Sequence, residues 1–185
     1  SQGKAVQKPI QELSKLREEN FHKENFSVKN EGIFIEGFYS NTFEFSAVLK
    51  PGDSKRCGFR ICASKENKSG IEIAYVDGNT VNVAGVKVPV ELNSDGTVNI
   101  HGFFDKSVLE VFIKDGHKCV TRVVYPEPGN SEFSVFSEGG EIEVEELDIW
   151  GIESICPSVD LTYDCRVDFR DLRKLLEQWL RPALM

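Results

Sequence analysis

The chain has 185 residues, 40% of them apolar and 28% charged, with a formal net charge of -8. That length suits one sizeable core plus a small appendage, and an acidic balance without a Lys/Arg cluster argues against a nucleic-acid or anionic-membrane surface, which would need a basic patch. No apolar run approaches the ~20 residues needed to cross a bilayer.

Residues 1–8 are polar and unpatterned. After Pro9, the three-residue spacing of Ile10, Leu13 and Leu16 predicts a short helical turn or ordered linker. From Phe26 to Val90 come short runs, FSV, GIFIEG, FEFSAVL, GFRICA, IEIAYV, VNV and VKVPV, punctuated by Gly, Asp and Asn. Regular short strands with turn chemistry between them indicate an all-β sandwich or barrel, and 13 Phe against 1 Met suits a β core. Phe43, Phe45 and Ala47 alternate with Glu44, Ser46 and Val48, as in a half-buried strand.

The stretch from Thr97 to Pro126 predicts three consecutive strands joined by two tight turns. Asp115-Gly116 supplies the positive φ angles of a two-residue hairpin turn. Leu109, Val111 and Ile113 then share one face, while Val108, Glu110 and Phe112 share the other; only the first is wholly apolar. SEFSVF and EIEVEELDIWGI add two strands around Gly139-Gly140, and Ile142, Val144, Ile149 and Trp150 are expected to close the core. Composition changes at residues 154–158, which mark a boundary.

Asp105-Lys106-Ser107, Glu110-Val111-Phe112, Gly116, Thr121, Arg122 and Tyr125-Pro126 follow the pattern of one known domain. The stretch resembles the C-terminal β-sandwich of glycoside hydrolase family 32, the invertase, inulinase, levanase and fructanase family. Glu12, Leu13, Leu16 and Arg17 extend the resemblance toward the N-terminus, and Leu147 and Trp150 match its ending. The resemblance implies an antiparallel two-sheet β-sandwich, concanavalin- or jelly-roll-like, over residues 26–153, with a linker or short helix at 1–25 and a loop-helix segment at 154–185. It also implies a catalytic propeller and any signal upstream of Ser1, a fructan or other carbohydrate as substrate, and a secreted, extracellular or periplasmic, bacterial protein.

Residues 160–180 form an acidic loop running into an amphipathic helix, with Leu172, Leu175, Leu176 and Trp179 at helical spacing. Asp160, Thr162, Asp164, Arg166 through its carbonyl, Asp168 and Asp171 occupy positions 1, 3, 5, 7, 9 and 12 of an EF-hand-like loop. The segment resembles one repeat of a type I dockerin, which implies Ca2+ and a protein partner, cohesin-like or a second copy of the chain. Cys165 stands where the turn glycine belongs, and only one repeat is visible. The competing reading is an Asp-rich N-terminal cap of a surface helix.

Five cysteines, at 57, 62, 119, 156 and 165, contain no C-x-x-C pair and no clustered histidine accompanies them, so a zinc site is not expected. Cys57 and Cys62 face opposite ways on a regular strand; Cys156 and Cys165 either close a ring around the acidic loop or remain buried thiols. His22, His101 and His117 are scattered, and the propeller motifs that carry the family's acids are absent, so this chain alone is expected not to be an enzyme. The alternatives are a stand-alone carbohydrate-binding module, for which an exposed aromatic cluster among residues such as Tyr39, Tyr75 or Phe104 is the mark, and an anchoring or scaffold-binding module.

Overall fold

The period-two patterning is realised as two antiparallel six-stranded sheets in a computed structural model that describes residues 5–66, 68–152 and 168–179. The chain divides into two compact units, Ser1–Ile152 and Glu153–Met185. In the first, a 3-10 turn at Gln11–Leu16 realises the expected helical turn. Twelve strands follow: β1 (Arg17–Lys29), β2 (Gly32–Tyr39), β3 (Thr42–Lys50), β4 (Arg56–Ala63), β5 (Ile71–Val76), β6 (Thr80–Val83), β7 (Val86–Pro89), β8 (Val98–Asp105), β9 (Val108–Ile113), β10 (Lys118–Val123), β11 (Glu132–Glu138) and β12 (Glu141–Ile152). The first sheet has the order β1-β12-β3-β8-β9-β10 and the second β2-β11-β4-β5-β6-β7. This is an antiparallel β-sandwich. Among the described residues, no helix is long and apolar enough to cross a membrane.

The core is aromatic. Phe43 and Phe45 from the first sheet meet Phe59 and Phe133 from the second, and Phe104 packs on Phe43, with ring centroids 5.5–6.0 Å apart in pairs such as Phe45–Phe59, Phe43–Phe133 and Phe43–Phe104. Burying a side chain of this size contributes roughly 1.5–3 kcal/mol, and a well-placed ring pair adds about 0.5–1.5 kcal/mol. Gly102 lies opposite Phe45 across the β3–β8 pair, and a Cβ there would overlap the Phe45 ring, so the missing side chain makes room for the ring.

The central hairpin follows the sequence pattern. His117 N–H donates to Lys114 O at 3.1 Å, and Asp115 and Gly116 between them have φ of 56° and 86°. Two positive φ angles at the central positions are those of the turn that matches strand twist. Leu109, Val111 and Ile113 are fully buried.

Four details depart from the expectations. Residues 17–25, expected as linker, are strand, because β1 begins at Arg17 and pairs with β12 along its whole length. Cys57 and Cys62 both belong to the core as free thiols. Cys62 has φ 45° and lies where β4 carries one residue more than β11, and such a bulge breaks the alternation that would otherwise oppose them. Trp150 does not close the core; it pairs with outward-facing Glu44 and stacks under Arg17. Of the three aromatic candidates, Tyr39 is exposed, while Tyr75 and Phe104 are buried.

Val111 of β9 pairs with Gly102 of β8 and Val120 of β10 and has no exposure. Val111→Asp should lower stability by several kcal/mol, on the order of 3–5 kcal/mol, because a buried carboxylate without a partner must be desolvated or neutralised. Urea denaturation measures it, and an unchanged midpoint would exclude this register.

Candidate functional site

Strand alternation puts Glu44, Ser46 and Val48 of β3 beside Phe103, His101 and Asn99 of β8 on the outer face of the first sheet. Over that face runs the segment leading into β1. Gln7 N–H donates to Gly116 O at 3.0 Å, and a Cβ on Gly116 would overlap the Gln7 carbonyl oxygen, so this glycine serves the turn and the close approach of the segment together. Between segment and sheet lies a groove of about 530 Å³, walled by Pro9, Leu13, Arg17, His101, Phe103 and Phe112 among others.

The floor of the groove holds the buried Glu44. Arg17 donates from Nε to Oε2 at 2.7 Å and from Nη2 to Oε1 at 2.6 Å, a two-point clasp, and His101 Nε2 lies 2.7 Å from Oε1. The Arg17 guanidinium also lies 3.8 Å from the centre of the Trp150 ring. Burial pushes the Glu44 carboxyl upward, but the hydrogen bonds from Arg17 and His101 outweigh it and hold the group below its ordinary value. The Arg17 guanidinium is raised, first by its hydrogen bond to Glu44. Beside them, the His101 and Phe103 rings are 5.0 Å apart and the His101 and Phe112 rings 6.0 Å apart. The groove is thus an ionised, fully engaged carboxylate framed by aromatic rings. A proton-donating acid needs the opposite state, a carboxyl kept protonated at working pH.

Of the expected calcium ligands, Asp160, Thr162, Asp164 and Arg166 lie outside the described residues, as do Cys156 and Cys165. Asp168 and Asp171 lie at the start of α1 (Phe169–Trp179). Asp171 Oδ2 accepts the Asp168 N–H at 2.8 Å, and Asp168 Oδ1 accepts the Arg170 N–H at 2.7 Å. These bonds satisfy donors at the helix start that have no partner within the helix. The Arg170 guanidinium engages both Asp168 oxygens, and its hydrogen bond is the first cause that holds the Asp168 carboxyl below its ordinary value.

Residues 12–151 match the family described as "Glycosyl hydrolases family 32 C terminal". The chain belongs to this family. Sucrose-6-phosphate hydrolase of Escherichia coli is 23% identical over 154 residues, covering 81% of this chain and 32% of the relative. Levanbiose-producing levanase of Bacillus subtilis (strain 168) is 24% identical over 166 residues, covering 81% and 31%. The chain therefore spans about a third of the length of these curated relatives. Among solved structures, fructan 1-exohydrolase IIa from Cichorium intybus shares the fold with a TM-score of 0.69 and 16% identity, over 80% of this chain and 38% of that one. Exo-inulinase from Aspergillus awamori does so with a TM-score of 0.67 and 18% identity, over 80% and 32%.

Three of the residues that carried the family 32 resemblance are architectural. Lys106 turns the β8–β9 hairpin with φ 54°, Val111 fills the core, and Glu110 accepts a hydrogen bond from Thr121 at 3.3 Å across β9–β10. Sequence reasoning missed the Arg17–Glu44–His101 group. Its one signal was a lone acid in an otherwise apolar and small-residue strand, FEFSAVL.

Because the Glu44 carboxyl titrates lower in the folded chain than in the unfolded one, its stabilisation is complete above the ordinary carboxylate value and is lost as pH falls through the folded value. Arg17 and His101 are each about one-third exposed, which weakens their attraction to Glu44. Glu44→Gln should therefore lower stability by about 1–3 kcal/mol at pH 7 and by much less near pH 3. Urea melts of both proteins at the two pH values check this; an equal gap at both would show that ionisation of Glu44 is not the cause.

Proposed function

We propose that this chain is the non-catalytic ancillary β-sandwich of a secreted β-fructosidase-like glycoside hydrolase, which supports an upstream catalytic propeller acting on sucrose or fructans. The observation that carries the reading is the match of residues 12–151 to the family's C-terminal domain, in a chain about a third as long as its curated relatives. The groove supports it chemically. Hydrolysis of a glycosidic bond needs two carboxyl groups flanking the bond, and the groove's one buried carboxylate is paired with Arg17 and hydrogen-bonded to His101. Purified residues 1–185 should release no fructose from sucrose, inulin or levan, whereas the same chain expressed with its upstream reading frame should. Turnover by the isolated chain would overturn the reading.

A second reading, carbohydrate binding by the sandwich itself, is favoured by the aromatic frame of the groove. Phe103 is partly exposed beside His101, and a furanose ring with its hydroxyls fits a wall that is apolar on one side and polar on the other. Calorimetric titration with inulin and levan oligosaccharides separates the two readings. Binding that Phe103→Ala abolishes supports the second.

For the tail we propose a dockerin-like calcium segment that serves protein interaction, cohesin-like or with a second copy. The amphipathic α1 supports it, with Leu172, Leu175 and Leu176 46%, 44% and 45% exposed. Calcium added to the purified chain should change tryptophan fluorescence saturably, and Asp171→Ala should abolish the change. An unaltered response in that variant would exclude these ligands.

A further inference from the structure

On the outer face of the β1–β12 pair, where Asp148 lies beside the groove-lining Ser46, the register sets His22 opposite Asp148 and Glu24 opposite Glu146. Four chemistry-bearing side chains thus stand on two rungs of the paired strands, separated by the Lys23–Leu147 rung. His22 Nδ1 is 2.8 Å from Asp148 Oδ1, and its Nε2 is 3.0 Å from Glu24 Oε1. One ligand atom from each of His22, Glu146 and Asp148 lies within 4.8 Å of the other two.

We infer that His22, Glu146 and Asp148 form a binding site for a divalent transition-metal ion, with zinc as the expected occupant. Ligands around a tetrahedral zinc at ~2.0–2.1 Å stand about 3.4 Å apart. The two partly exposed acids and the imidazole reach that spacing by side-chain rotation alone, because the backbone ladder already holds their strands in register. Imidazole selects zinc, copper or nickel over calcium and magnesium, which prefer all-oxygen shells. Glu24, opposite Glu146, is the acceptor that orients the other imidazole nitrogen.

Charge points the same way. Three carboxylates around a neutral imidazole carry a net charge of about -3, which zinc reduces to about -1. Arg17, whose charge also acts on Asp148, gives its hydrogen bonds to Glu44. A bound ion would tie the edge strand β1 to β12, coupling metal occupancy to the stability of the first sheet.

The test is independent of the proposed function. Zinc chloride titrated into the purified chain by calorimetry should bind saturably, raise the thermal midpoint and be reversed by EDTA. His22→Ala should weaken this binding at least tenfold, and so should Glu146→Gln, a second exposed position that guards against misfolding of one variant. Cobalt(II) should give a visible spectrum without the thiolate charge-transfer band that cysteine ligation produces. Absence of saturable binding in the parent chain, undiminished affinity in His22→Ala, or a thiolate band would each overturn the assignment.

Discussion

The contact between Phe45, Phe59 and Phe133 across the two sheets is the constraint on which the rest depends. Each ring must point inward, so parity along β3, β4 and β11 is set, and every neighbour one residue away must point outward. Glu44 and Ser46 face the groove because Phe43, Phe45 and Ala47 do not. Where parity would fail over a long strand, a bulge resets it. Asn25 with φ 49° on β1, and the register shift between Val144 and Glu146 of β12 against β3, let Phe26, Val28, Ile142 and Val144 face the core beyond those points.

The outward face then acquires chemistry that no single strand carries. Glu44 is buried by the segment that crosses the sheet, and a carboxylate in that position persists only if it is ionised and paired. Arg17 supplies the pairing at the point where that segment becomes β1, so the same contact that neutralises Glu44 also fixes where the segment enters the sheet. Covering of the groove and pairing of its acid are therefore one structural event.

Much of the sandwich was legible because its signals are local. The Asp115-Gly116 turn and the Leu109, Val111, Ile113 alternation lie within a few residues and follow directly from turn and pleat geometry. β1 was not legible before Phe26, because an edge strand with a solvated outer face gives no clean alternation; Val28 is its one fully buried residue. The groove was hidden for a different reason. Arg17, Glu44 and His101 are separated by 27 and 57 residues, and only the sheet order brings them together. Cys62 and Trp150 misled because a bulge and an outward stack each break a rule that strand parity otherwise enforces.

At the tail, one pair of acids serves two readings that compete for the same oxygens. Capping uses Asp171 Oδ2 on the Asp168 N–H, while Asp168 gives both oxygens to Arg170. Calcium at the end of an EF-hand-like loop takes both oxygens of its last ligand, so binding would require Asp171 to give up its capping bond and Asp168 to exchange a guanidinium for the ion or its water. A short helix is marginal without its cap. Metal entry would therefore have to restore at the loop what the helix start loses, and in the proposed calcium segment order in α1 would then depend on occupancy of the loop.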